Sequence, residues 1–93
     1  MPSFRVTLIV GAIAPGVAPS RVLPTARDAA QTLTVVEASD VQVVAGEARL
    51  IVRFAAESRE IAMQIGGHVA STVSTIATVA SWRVTERVKS AWL

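Results

Sequence analysis

The sequence predicts an α+β fold of the βαββαβ type, in which two helices cover one face of a four-stranded antiparallel sheet. Several short segments alternate between apolar and polar residues, as strands with one buried face do. Two intervening segments repeat apolar residues at helical spacing, and a glycine separates two of the strands at hairpin distance. The 93 residues fit a single α+β domain, residues 1–93, and leave little room for a second.

The predicted strands are the segments with a period of two. In the first, residues 4–10, the side chains of Phe4, Val6, Leu8 and Val10 alternate with those of Arg5, Thr7 and Ile9. We place the other strands at 41–45, 47–55 and 79–88, with Gly46 as the turn residue of a hairpin. Right-handed crossovers put the first and third strands in the middle of the sheet.

The two predicted helices have different start signals. The first is expected to begin at Thr25, with Asp28 completing an approximate capping box, and the second after Ser58. The expected inward stripes are Ala26, Ala29, Ala30, Leu33 and Val36 in the first, and Ile61, Ile65, Val69, Val73 and Ile76 in the second. Gly66 and Gly67 fall within the second helix, where each costs roughly 1 kcal/mol relative to alanine. We therefore expect a close approach to a neighbouring element or a kink at these glycines.

The longest predicted connection is Gly11–Leu23, which contains two glycines and two prolines. Connections of this length are often functional or mobile. Its apolar residues favour a simpler interpretation, in which the segment covers one end of the core.

Two apolar segments partly resemble export or membrane signals. Residues 1–14 place a short apolar run after one basic residue, but Pro15 makes a poor cleavage partner. The segment 61–82 carries no formal charge, yet it contains many hydroxyl and amide side chains, which a lipid-facing helix avoids. Cysteine is absent, which fits a reducing compartment. We expect a cytoplasmic protein that does not enter a membrane.

Three segments with strand periodicity, residues 5–10, 48–54 and 82–88, resemble the strands of the ferredoxin-like superfold. The resemblance covers nearly the whole chain and is one of pattern. The end of the chain, Thr85-Glu-Arg-Val-Lys-Ser-Ala-Trp92, is also similar to a Thr-x-Arg-Val-x-x-x-Trp element that ends small bacterial proteins without an assigned activity. These resemblances imply a ferredoxin-like βαββαβ sandwich and carry no function with them.

The residue types argue against catalysis. The chain has no Cys, no Tyr and one His, so it lacks most activated nucleophiles and thiolate metal sites. His68 has no partner nearby in sequence, and the carboxylates are scattered. The segment Gly11–Gly16 matches no phosphate-binding motif, and its Pro15 removes a backbone donor. We expect no catalytic residue, no metal and no cofactor.

One constellation remains, on the sheet face turned away from the predicted helices. The candidate binding or interface residues there are Arg5, Ile9, Arg49, Ile51, Arg53, Arg83 and Arg87. The net charge is only +2, but eight of the nine cationic side chains are arginines, which the codon bias of a GC-rich genome could also explain. Weakly hydrated guanidinium groups are enriched at interfaces.

Several functions fit this face. We favour a homodimer formed by packing two such faces together, which would cover Ile9, Val44 and Ile51. Binding of an anion or a nucleic-acid backbone is an alternative. Base stacking of the usual kind is not favoured, because Arg49 and Ile51 occupy the third-strand stacking positions. A solvated face is possible, as is a small cofactor-free dimeric α/β-barrel enzyme with a pocket lined by His68 and Trp82.

Overall fold

The computed structural model describes all 93 residues as two α-helices, one short 3-10 helix and five strands. In chain order these are β1 (Ser3–Ile13), the 3-10 helix (Pro19–Arg21), α1 (Val22–Gln31), β2 (Val36–Val44), β3 (Glu47–Ala55), α2 (Arg59–Val73), β4 (Ala77–Val88) and β5 (Ala91–Trp92). No helix is both long enough and apolar enough to cross a bilayer. The uncharged segment 61–82 is instead divided between α2 and β4.

The prediction of a four-stranded sheet is wrong, because the sheet has five antiparallel strands in the order β2-β3-β1-β4-β5. The extra strand, β5, folds back on β4 and pairs Arg87 with Trp92 and Val88 with Ala91. The remaining strands and the two helices keep the predicted order. The whole is a small α+β fold with a curled antiparallel sheet, compatible with a ferredoxin-like fold.

The helices and one face of the sheet enclose a single apolar core. Every second residue of β1 and β3 points into it, and Phe4 stacks against Phe54 with ring centroids 6.3 Å apart. The core residues of β1 and β3 are Phe4, Val6, Leu8, Val10, Leu50, Val52 and Phe54. This alternation is the predicted one, and it turns the intervening residues of both strands away from the helices.

The start predicted for the first helix is wrong. α1 begins at Val22, and the hydroxyl of Thr25 donates to the Arg21 carbonyl 2.7 Å away instead of capping the N-terminus. The predicted inward stripe is also too long, because α1 ends at Gln31. Leu33 is 55% exposed beyond it, and Val36 belongs to β2. Backbone pairing of this β-branched stretch with β3 outweighs its helical periodicity.

The start predicted for the second helix is confirmed, since Ser58 Oγ accepts a hydrogen bond of 3.2 Å from the N–H of Ile61. Ile65, Val69 and Val73 are buried as predicted, whereas Ile61 is 39% exposed and Ile76 lies beyond the helix end. The small residues Ala62, Gly66 and Ala70 take the remaining inward positions.

The glycines of α2 mark a close approach to β4. A Cβ atom at Gly66 would lie 2.6 Å from Val84 Cγ2 and 3.0 Å from Trp82 Cζ3. The Trp82 indole packs against both glycines, and at Gly66 α2 lies closer to the sheet than alanine would permit.

The connection predicted over Gly11–Leu23 is shorter in the structure. β1 continues to Ile13 through two irregularities in its pairing with β4, and the 3-10 helix leads directly into α1. Only residues 14–18 remain outside helices and strands.

Candidate interaction surface on the open face of the sheet

The face of the sheet opposite the helices, called the open face below, carries an array of arginines. The residues of β1, β3 and β4 on it are Arg5, Thr7, Ile9, Arg49, Ile51, Arg53, Arg83, Thr85 and Arg87. Strand register sets their rows: Ile9 lies between Arg49 and Ser81, and Arg5 lies between Arg53 and Thr85. The structure thus brings all seven candidate residues from the sequence to one surface, and their role in binding stays a prediction.

The central residues of the open face are only partly accessible. Ile9 and Ile51 are half-buried and Thr7 is buried, whereas Arg83 and Arg87 are exposed. Thr7, Ile9, Arg49 and Arg83 are among the residues that line an open concavity of about 520 Å³. This concavity occupies the part of the face that β5 does not cover.

Trp92 is a residue of the open face that the sequence analysis did not include among the candidates. A turn with a left-handed backbone at Lys89 (φ 57°) brings β5 back along β4. The indole of Trp92 then lies over the open face, with its ring centroid 4.1 Å from Cζ of Arg5 and 5.4 Å from Cζ of Arg53. These are cation–π contacts, which are favourable by about 0.5–2 kcal/mol depending on exposure.

The tail that carries Trp92 is held by two further hydrogen bonds. The N–H of Leu93 donates to the carbonyl of Glu86 at 2.8 Å, and Arg59 Nη2 donates to the Leu93 carbonyl at 3.0 Å. Arg59 also lies 3.8 Å from the Glu86 carboxylate. The position of Trp92 is thus fixed by contacts to both β4 and α2.

Arg5, Arg53 and Arg87 form an arginine cluster beside Trp92. The pKa of Arg5 is lowered from its ordinary value, first by burial and then by the positive charges of Arg53 and Arg87. A guanidinium nevertheless stays charged at neutral pH. The repulsion within the cluster is therefore present in the folded protein at neutral pH and is available to be relieved by an anion.

Two carboxylates on the open face neutralise two of its arginines. Glu37 accepts hydrogen bonds from Arg53 Nε at 2.9 Å and from Ser3 Oγ at 2.8 Å. Glu47 lies 3.4 Å from Arg49. A β-bulge between Val36 and Ala38 accompanies the orientation of the Glu37 side chain towards Arg53. Strict alternation along β2 would not predict this orientation.

The other three arginines of the open face have no such partner. Arg5, Arg83 and Arg87 have no carboxylate within 4.0 Å. The buried side-chain polar atoms without a hydrogen-bond partner are Nε of Arg5 and Nε of Arg49, both on this face. Leaving a buried donor unpaired costs about 1–3 kcal/mol. A bound partner that gives these donors an acceptor would therefore be favoured by part of this free energy.

The enzyme alternative named His68 and Trp82 as the residues that line its pocket, and both lie at α2. His68 lies on the exposed side of α2, 3.5 Å from the hydroxyl of Thr32. Trp82 packs against Gly66 and Gly67, where a pocket between helices and sheet would have to open. No three His, Asp or Glu side chains come together in a group that could hold a metal ion.

No protein-family model matches this chain, and no curated protein is significantly similar to it.

Proposed function

We propose that this chain is a non-catalytic interaction domain whose open face binds the phosphate backbone of a single-stranded nucleic acid. One observation carries the proposal: Arg5, Arg83 and Arg87 lack carboxylate partners on a surface that also presents a half-buried indole, Trp92. Single-stranded nucleic acids are bound by grooves that combine positive charge along the backbone with aromatic rings on which bases stack. Trp92 supplies the aromatic ring that β1 and β3 do not present on the open face, because Phe4 and Phe54 are buried in the core.

The charge balance of the open face favours an anionic partner over a second copy of the face. After Glu37 and Glu47 are assigned to their arginines, the spare carboxylate on this side of the sheet is Asp40, which pairs with Ile51 across the β2–β3 ladder. Two open faces packed together would bring more arginines than spare carboxylates into one contact. Like charges in contact disfavour association by several kcal/mol. A phosphate backbone supplies the missing negative charge.

The test is a binding titration of a fluorescently labelled oligothymidylate of about 12 nucleotides, within the site size of one small binding fold, followed by anisotropy. Neutralisation of three phosphates predicts a slope of about −2 in a plot of log affinity against log salt. Arg83→Ala and Arg87→Ala should each weaken binding by about three- to tenfold, because each removes a charge-assisted contact.

The matched control is Arg21→Ala. Arg21 is exposed, lies in the 3-10 helix before α1 and has no carboxylate within 4.0 Å, so its removal changes the net charge equally. We expect less than about a twofold change in affinity, because a charge remote from the phosphates is screened. Absence of binding at low salt, or equal weakening by Arg21→Ala, would refute the proposal.

Self-association through the open face is the second candidate, and apolar contacts favour it. Ile9, Ile51 and Trp92 are half-buried there, and Trp and Arg are among the residues enriched at interface hot spots. The molecule measures 39 × 29 Å across its two longer axes, enough for the roughly 800 Å² that each partner buries in a standard interface. Ile51→Glu should then convert a dimer into a monomer in light scattering.

The sequence element Thr85–Trp92 contributes part of the proposed binding surface. It forms the β4–β5 hairpin, which places Arg87 beside Trp92 on the open face. We propose that this element, through which the chain resembles the ends of small bacterial proteins, is a signature of the binding surface. We also propose a cytoplasmic location, which the absence of cysteine supports and which cell fractionation would test.

A further inference from the structure

The outermost strand, β2, leaves one of its edges unpaired. It stands at the end of the strand order and pairs with β3 alone. Its nine residues include no Lys, Arg or Pro, which often protect an exposed edge from pairing. Val41 is 45% exposed and Val43 is 71% exposed. An unpaired edge with exposed valines and without cations or proline is a template for another strand.

The hairpin turn determines which backbone groups of β2 face outwards. Ala45 (φ 53°) and Gly46 (φ 78°) form a two-residue turn with both residues left-handed, so Val44 and Glu47 close the hairpin as a hydrogen-bonded pair. Because the bonding direction alternates along an antiparallel strand, Gln42 and Asp40 also bond to β3. The N–H and C=O groups of Val43, Val41 and Ser39 therefore point away from the sheet. No hydrogen bond from a loop or turn reaches them.

We infer that β2 pairs antiparallel with β2 of a second copy of this chain, about a two-fold axis at Val41. In this register Val41 lies opposite the partner's Val41, Val43 lies opposite the partner's Ser39, and Asp40 lies opposite the partner's Gln42. Every outward N–H and C=O group of Ser39, Val41 and Val43 then meets a complementary group. On the open face, the Asp40 carboxylate can accept a hydrogen bond from the Gln42 amide of the partner.

The neighbouring two-fold registers are less favourable. If the two-fold axis lay at Asp40, the Asp40 carboxylates of the two copies would lie directly opposite each other, which is destabilising. If the axis lay at Gln42, Asp40 would lie opposite the partner's Val44. Ser39 would then lie opposite the partner's Ala45, which is in the turn beyond the strand. The bulge between Val36 and Ala38 limits pairing at the other end of β2. Charge and strand length together select the register at Val41.

The proposed pairing makes one continuous sheet of the two copies. The two-fold axis stands perpendicular to the sheet, so both sets of helices lie on one side and both open faces lie on the other. The arginines of the two copies would then form a single extended surface. The pairing depends only on β2, so it does not rest on the nucleic-acid proposal.

The first test compares two Val→Lys variants by sedimentation velocity over a range of protein concentrations. Val43→Lys places a charge on the proposed contact, whereas Val35→Lys changes a side chain that is 69% exposed and precedes the strand. We expect a concentration-dependent dimer for the wild type and for Val35→Lys, and a dissociation constant raised at least about tenfold for Val43→Lys. A wild-type monomer at all concentrations overturns the inference. A dimer that Val43→Lys leaves intact also overturns it, and dissociation by Ile51→Glu alone would assign the contact to the open face.

The second test measures the register by cross-linking, using the absence of cysteine from the natural chain. Val41→Cys should form an intermolecular disulfide rapidly, because opposite residues of a hydrogen-bonded pair have Cα atoms about 5.5 Å apart. Gln42→Cys is the control, since the two copies of Gln42 would lie diagonally, about 7–8 Å apart, beyond easy disulfide reach. We expect oxidation of Val41→Cys at least about tenfold faster than that of Gln42→Cys. Equal rates, or a faster Gln42→Cys, would contradict the proposed register.

Discussion

The packing of α2 on β4 predicts opposite effects of the same substitution at two adjacent glycines. At Gly66 the added methyl carbon would lie 2.6 Å from Val84 Cγ2 and 3.0 Å from Trp82 Cζ3. Val84 is a buried residue with a stiff, branched side chain, so it cannot move aside without disturbing the core. At Gly67 the methyl carbon would lie 3.7 Å from Trp82 Cη2, an ordinary van der Waals contact.

The magnitudes follow from two opposing contributions. Replacing glycine with alanine inside a helix favours folding by about 1 kcal/mol. Overpacking a well-filled core disfavours it by about 1–3 kcal/mol. Gly66→Ala should therefore lower the free energy of unfolding by up to about 2 kcal/mol, and Gly67→Ala should raise it by about 0.5–1 kcal/mol.

Urea and thermal denaturation, followed by far-UV circular dichroism, measure both changes. In a domain of this size a change of 1 kcal/mol shifts the Tm by roughly 4–8 °C. The two variants are matched in composition, helix and mean hydropathy, so they differ only in what the methyl group contacts. If Gly66→Ala were as stable as Gly67→Ala, or if both variants raised the free energy of unfolding, the close contact between α2 and β4 would be refuted.

Three further predictions concern the helix start, the hairpin turn and the arginine cluster. Ser58→Ala should lower the free energy of unfolding by about 1 kcal/mol because the cap to the Ile61 N–H is lost, and a urea titration that shows no change would contradict this assignment. Ala45→Asn should raise it by about 0.5 kcal/mol, since asparagine tolerates the left-handed backbone (φ 53°) better than alanine, and a lower Tm would argue against the turn geometry. Raising NaCl from about 10 to 150 mM should raise the Tm by screening the repulsion among Arg5, Arg53 and Arg87, and the increase should be smaller in Arg87→Ala. An identical salt response in the two proteins would show that Arg87 does not contribute to this repulsion.

Sequence periodicity located most of the sheet and the two faces of its central strands. Alternation along β1 and β3 is reliable because both strands bury one face against a continuous apolar layer. The Ser58 cap could also be predicted, because a helix cap depends only on residues within one turn of the helix start. Thr25 has the same side-chain chemistry but lies inside α1, where packing of the preceding turn has already started the helix.

The features that shape the candidate site were harder to predict. The turn before β5 consists of Lys89 and Ser90, neither of which is a typical residue for a left-handed backbone, so the return of Trp92 carries almost no local signal. The pairing of Glu37 with Arg53 depends on a bulge, which reverses the alternation along β2 at one point. Both features arise from contacts between residues distant in sequence.

The most direct test of the central claim uses Trp92 as a reporter of the open face. In a Trp82→Phe variant, Trp92 is the remaining indole, and its ring lies over Arg5 and Arg53. If a nucleic-acid backbone binds this face, adding the oligothymidylate should change the Trp92 emission along the same saturation curve as the anisotropy. Arg83→Ala together with Arg87→Ala should shift both curves to an oligothymidylate concentration higher by about tenfold or more. An anisotropy curve that saturates while the Trp92 emission stays constant would show that the binding surface lies elsewhere.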